Sequence, residues 1–184
     1  THMRILSTLR TPRLFKIVTI ENFSENNKLD LSIYRYLRLR GISYDLYKKN
    51  IKEKIKNANF SGEIIIDHPF ELSWQDEYYG IHYKSTDIDK FEDKNRKSNY
   101  AYSASCHTED DIKECNKRLF DFVLISPLLQ THNEFNILGW SNFTELSLQS
   151  YCPSLALGGL SASKHDFADC IRNYGFGIAG VKQI

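Results

Sequence analysis

Pro153-Ser154-Leu155-Ala156-Leu157-Gly158-Gly159, then Leu160-Ser161-Ala162-Ser163, a helical stretch, Asn173-Tyr174-Gly175 and finally Phe176-Gly177-Ile178-Ala179-Gly180: the fold turns on how this stretch is read. It reads as an apolar strand ending in two glycines, a helix closed by an Asn/Gly signal, and a second strand of small residues. Glycine at a strand end lets the backbone come close to a ligand, and its N–H groups can then face an anion. Two such strand ends side by side are how the last units of a (β/α)8 barrel hold a phosphate. The same residues would serve an ordinary βαβ packing unit whose glycines only make turns. The rest of the chain has to decide.

Working outward, strands and helices alternate. Residues 14–20 are β-branched and bounded by a polar turn, which predicts the first strand. Residues 30–40 carry Leu31, Ile33, Tyr34 and Leu37 at a helical period and are closed by Gly41, and 42–47 read as the second strand. Residues 48–58 are predicted helical, with Ile51, Ile55 and Ala58 on one face and a basic side in solvent. An apolar strand at 63–67 ends in a carboxylate, 69–78 form a short helix or turn, and 80–83 a fourth strand. The charged run 87–98 holds at best a short helix. Residues 100–106 form the fifth strand, Thr108 caps an acidic helix start that runs to about residue 119, and 120–125 form the sixth. Residues 128–140 lack a period and read as the longest loop, before a helix at 142–149.

This alternation implies a parallel sheet, and eight strands close it as an α/β fold, a (β/α)8 TIM barrel. It is a shortened barrel with the last helix missing or reduced, because only residues 181–184 follow the eighth strand. The seam there is covered by the basic lead-in 3–13, or by another subunit, or is left as an apolar association surface; a homo-oligomer through the seam is therefore one expectation.

The totals fit a single domain over residues 3–184, with Thr1-His2 ahead of Met3 reading as a scar of expression. A hydrophobic fraction of 41% is ordinary for a globular chain, and a net charge of +1 offers no global field for nucleic acid or an acidic membrane. No apolar run is long enough to span a bilayer. Cys106, Cys115, Cys152 and Cys170 show no Cys-x-x-Cys pairing, which suits reduced thiols and a cytoplasmic location.

Four pieces, in this order, resemble the thiamine phosphate synthase family, including its thiazole tautomerase (TenI) branch. Ile65-Ile66-Asp67 stands where the family has Ile-Asn-Asp-Arg. Gly80-Ile81-His82-Tyr83-Lys84-Ser85-Thr86-Asp87 is similar to Gly-Val-His-Leu-Gly-Gln-x-Asp. Ser103-Ala104-Ser105-Cys106-His107-Thr108-Glu109-Asp110 is similar to Gly-Val-Ser-x-His-x-x-Glu, and continues through Asp121-Phe122-Val123 and Ser126-Pro127 to Thr131. The opening stretch matches Pro-x-x-Ala-Ile-Gly-Gly and Gly-x-Ala.

The resemblance implies a transferase that joins hydroxymethylpyrimidine diphosphate to thiazole phosphate and releases diphosphate, with Mg²⁺ on the diphosphate. It implies Asp67 and Asp87 as metal ligands, and Gly158, Gly159, Gly180, Val181 and Lys182 as the phosphate cup. Ser105, Thr131, Asp45 and Tyr47 are then substrate contacts, and Lys49 a catalytic cation. In the tautomerase branch His107 carries the proton, as suits a side chain titrating near neutrality. His82 is patterned as a buried structural histidine, and Tyr44, Tyr47, Tyr78 and Tyr79 either line the mouth or pack in the core.

The departures bear on mechanism. The family's Gln-x-Arg-x-Lys at the second strand end is set against Asp45-Leu46-Tyr47-Lys48-Lys49, which keeps only Lys49. Ile66 replaces an Asn, His68 an Arg, and Thr131-His132 a Thr-Lys pair. Lost cations weaken diphosphate binding, with Lys84 and Lys182 as partial substitutes. Three readings stand: the synthase, degenerate if the cations are lost; a metal-free tautomerase using His107; and a non-catalytic module that binds a phosphorylated ligand or a partner.

Overall fold

The computed structural model describes residues 10–24, 28–131 and 135–181. Eight parallel strands, numbered in chain order, close into a barrel: β1 (Leu14–Val18), β2 (Tyr36–Leu39), β3 (Glu63–Asp67), β4 (Gly80–Tyr83), β5 (Ala101–Cys106), β6 (Phe122–Ile125), β7 (Ser154–Leu157) and β8 (Gly177–Gly180). β8 pairs with β1 through Phe15 and Ala179, which completes the ring. α-Helices follow β2 (α1, residues 44–57, with a π turn at Tyr47–Ile51), β5 (α2, Glu109–Arg118), β6 (α3, Gly139–Gln149) and β7 (α4, Lys164–Arg172). After β1, β3 and β4 the described residues of the connections carry only 3₁₀ turns, at Ile20–Phe23, Leu72–Trp74, Ser85–Lys90 and Asp93–Asn95. Among the described residues no helix is long and apolar enough to cross a membrane.

Two expected elements are reversed. Residues 30–40 are not a helix; they contain β2. Residues 42–47 are not a strand; they open α1. Asp30 Oδ1 accepts from Ser32 N (3.0 Å), a local turn that competes with helix initiation, and the Leu31 amide is used by Ala58 O (2.7 Å). Beyond it, Tyr36-Leu37-Arg38-Leu39-Arg40 alternates at the two-residue period of a strand. Ser43 then takes the helix cap, its hydroxyl accepting from Leu46 N at 3.3 Å.

Alternation sorts the strand side chains. Phe15, Ile17, Tyr36, Ile65, Ala101, Phe122, Leu124, Leu155 and Ala179 fill the barrel interior, where Phe15 meets Phe122 edge-to-face at 5.3 Å. Their neighbours, such as Leu37, Ile64, Ile81, Tyr102, Val123 and Ile178, face out against the helices and loops. Carried toward the carboxyl ends, the inward series becomes Arg38 on β2 and Arg40 just past it, Asp67 on β3, His82 on β4, and Ser103 and Ser105 on β5. The upper barrel is thus polar from β2 to β5, and apolar and glycine-lined from β6 to β8. At the opposite end, the Arg13 guanidinium lies 3.8 Å over the Phe176 ring and donates to Phe176 O (2.6 Å), tying the lead-in to the entry of β8.

Candidate active site

A cavity of about 650 Å³ opens at the carboxyl ends of the strands. Gly158, Gly159, Gly180 and Val181 line it from β7 and β8, Ser126, Gln130 and Thr131 from the β6 end, His107 from the β5 end, and Arg40 reaches it from β2. The glycines serve two purposes. Gly158 has φ +126°, and a Cβ there would sit 2.7 Å from Leu128 N; one on Gly159 would sit 2.8 Å from the Gln130 side chain. They therefore admit the chain from Pro127 to Gln130, whose Leu128 and Leu129 amides bond to Leu157 O and Gly158 O (both 2.9 Å), and still leave the cavity open. Lys182, the expected cation of this cup, lies outside the described residues, as does His132.

His107 is held on two sides. Its Nδ1 lies 2.7 Å from Ser126 O and its ring stacks on Phe135 with centroids 4.1 Å apart. A carbonyl only accepts, so Nδ1 carries a proton, and in the neutral ring Nε2 is left as the basic atom. Asp111, whose carboxylate accepts from the His107 and Thr108 amides (2.8 and 3.1 Å), closes the capping box beneath it.

On the polar side, Arg38 grips Asp67 bidentately, Nε to Oδ1 at 2.7 Å and Nη2 to Oδ2 at 3.1 Å. Asp87 accepts from Lys90 Nζ at 2.7 Å, which, ahead of every other influence, holds its carboxyl below the usual carboxylate value. His68 Nδ1 is buried without a hydrogen bond and lies 3.5 Å from the second Asp87 oxygen; its ring stacks on Tyr83 at 4.6 Å. The carboxylates of Asp67, at the end of β3, and Asp87, in the turn after β4, are oxygen donors of the kind Mg²⁺ takes, commonly one or two carboxylates plus substrate phosphates.

The corrected register relocates the cations. Asp45 and Lys49 are on α1, paired with each other at 2.9 Å and both exposed, and Tyr47 is buried against Trp74 (4.9 Å); none lines the cavity. Gln-x-Arg-x-Lys spacing is met instead by Tyr36 and Arg38 on β2 and Arg40 just past its end. Burial and then the nearby Arg38 lower the pKa of Arg40, and among the described residues its guanidinium has no hydrogen-bonded or ion-pair partner. These arginines were legible as the polar members of a strict alternation ahead of Gly41. Tyr44 packs on Trp74 and Tyr78 on Tyr100, in the core rather than at the mouth. Thr131 does line the cavity; Ser105 does not, and is bonded to His82.

His82 is fully buried, between Ser103 Oγ (2.8 Å, on Nδ1) and Ser105 Oγ (2.7 Å, on Nε2). Desolvation and then the charge of Arg38 push its pKa well below 6.5, so it stays neutral in the folded chain. The stability His82 contributes is present above its ordinary value of 6.5 and is lost as pH falls below it, at about 1.4 kcal/mol per pH unit. Urea unfolding between pH 7 and 5 is expected to show this slope, and His82→Gln to remove it.

Comparison with known proteins agrees with this geometry. A protein-family profile described as thiamine monophosphate synthase matches residues 36–184. A curated Aquifex aeolicus (strain VF5) protein named "Putative thiamine-phosphate synthase 2" is 25% identical over 183 residues, covering 94% of this chain and 97% of that one. Among solved structures, a thiamine phosphate pyrophosphorylase from Pyrococcus furiosus superposes with a TM-score of 0.66 at 12% identity, over 94% of this chain and 87% of that one. A glycerol uptake operon antiterminator regulatory protein from Listeria monocytogenes gives 0.57 at 10% identity over 92% of each chain, a likeness of fold alone.

Proposed function

Since the chain belongs to the thiamine monophosphate synthase family, we propose that it joins hydroxymethylpyrimidine diphosphate to thiazole phosphate. In that reaction the bond from the pyrimidine methylene to oxygen breaks, diphosphate leaves, and the thiazole nitrogen forms the new bond to carbon. The observation that carries this reading is the division of the barrel mouth: Arg38, Arg40, Asp67 and Asp87 on one side, the glycine-lined cup on the other. The cup takes the thiazole phosphate on backbone N–H groups. Arg40 stands between the halves, free to bind the leaving diphosphate, and a developing negative charge in a desolvated site is where such a cation contributes most. Asp67 and Asp87 would hold Mg²⁺, which when bound neutralises diphosphate oxygens.

The test is thiamine phosphate formation and diphosphate release by the purified chain, with and without Mg²⁺. Activity is expected to vanish with a chelator and to fall about 10²-fold in Arg40→Ala. A chain that binds neither pyrimidine diphosphate nor Mg²⁺ sinks the synthase reading. A thiazole tautomerase is the second reading, favoured by the fixed Nδ1 proton of His107 and its place on the cavity wall. It requires that His107→Asn abolish proton exchange on a thiazole carboxylate phosphate without any metal requirement.

A further inference from the structure

We infer that His82 is a positioning residue that fixes Ser105 as a hydrogen-bond donor at the barrel mouth. The argument is one of proton bookkeeping in a closed space. A neutral imidazole has one N–H and one lone pair, so of the two serine hydroxyls on its nitrogens one must donate to it and the other accept from it. Ser103 is fully buried, and His82 Nδ1 is the only partner of its Oγ among the described residues. If Ser103 accepted from Nδ1, its own proton would be stranded without an acceptor, a costly arrangement in a buried site. Ser103 therefore donates to Nδ1, and Nε2 bears the ring proton and donates to Ser105 Oγ at 2.7 Å.

Ser105 is half-buried, one inward position nearer the rim than Ser103, and its Oγ has no other partner among the described residues. Its lone pair is engaged by His82, so its O–H is left to donate on the polar side of the barrel mouth, outside the cavity that the glycines line. A hydroxyl locked as a donor suits an anionic oxygen. Resting on the synthase reading, the ligand group it serves is the diphosphate.

The experiment has two arms on the full chain. In ¹⁵N-histidine NMR spectra of the unliganded protein, His82 is expected as the Nε2–H tautomer. An Nδ1–H tautomer overturns the inference. In calorimetric titration with inorganic diphosphate and Mg²⁺, Ser105→Ala and His82→Asn are each expected to weaken binding about tenfold, and the double variant no further, as for two members of one relay. His82→Gln, whose amide reaches the Nε2 position, is expected to restore the affinity. Additive losses, or a Gln variant as weak as Asn, overturn it. If the wild-type chain binds no diphosphate but shows the Nε2–H tautomer, the relay stands and the synthase reading falls.

Discussion

Arg38→Met is expected to destabilise the chain by about 3 kcal/mol, because it leaves Asp67 charged and abandoned inside the barrel. The Arg38 side chain is 5% exposed and that of Asp67 17%, so water reaches the carboxylate poorly. At this chain length such a loss corresponds to a melting temperature lower by about 6–12 °C. Adding Asp67→Asn removes the uncompensated charge, and the double variant should regain part of the loss. Chemical denaturation of the four members of the cycle checks this. A single variant within about 0.5 kcal/mol of wild type would mean that the pair is solvated and that β2 does not carry an internal arginine.

Gly158→Ala is expected to damage both fold and site. Its φ of +126° is a backbone conformation that L side chains rarely adopt, and the new methyl would meet Leu128 N at 2.7 Å and Gln130 O at 2.9 Å. Backbone strain and overpacking together cost about 2–4 kcal/mol. Relief can come only by lifting the segment that forms one wall of the cavity, so affinity for thiazole phosphate should fall in parallel. Gly41→Ala is the control: φ is +68° there too, but nothing lies within 4 Å of the added carbon. Only the conformational term of about 1 kcal/mol remains, with binding untouched. Equal losses at the two positions would separate Gly158 from the wall it is argued to support.

The barrel was legible because β-strand ends and helix caps are local signals. Thr108 with Asp111, the Gly158-Gly159 pair and the run of Phe122–Ile125 each state their structure within a few residues. The second unit misled because a period of three or four can be found in Leu31, Ile33, Tyr34 and Leu37, whereas the alternation after Tyr36 carries inward arginines that a helix reading leaves in solvent. That error also placed the expected cation, Lys49, on what proves to be the exposed face of α1. Tertiary facts were not available locally: Arg38 lies 29 residues from the acid it binds, and the Gln130 side chain explains Gly159 only once β6 and β7 are side by side. His107, which the sequence pointed to, lines the cavity, but the Ser126 carbonyl that fixes its tautomer was not readable from its neighbours.

The segment after β6 is zipped to the end of β7 at Leu128 and Leu129, and is pinned from behind where Leu138 N and Gly139 N donate to Pro127 O and Leu128 O (both 2.9 Å). On the proposed reading, a phosphorylated guest entering here would meet a receptacle already set, so little ordering entropy would be charged against its affinity. Its capture should therefore show a modest heat-capacity change and no slow isomerisation after encounter, the kinetic profile of a rigid host.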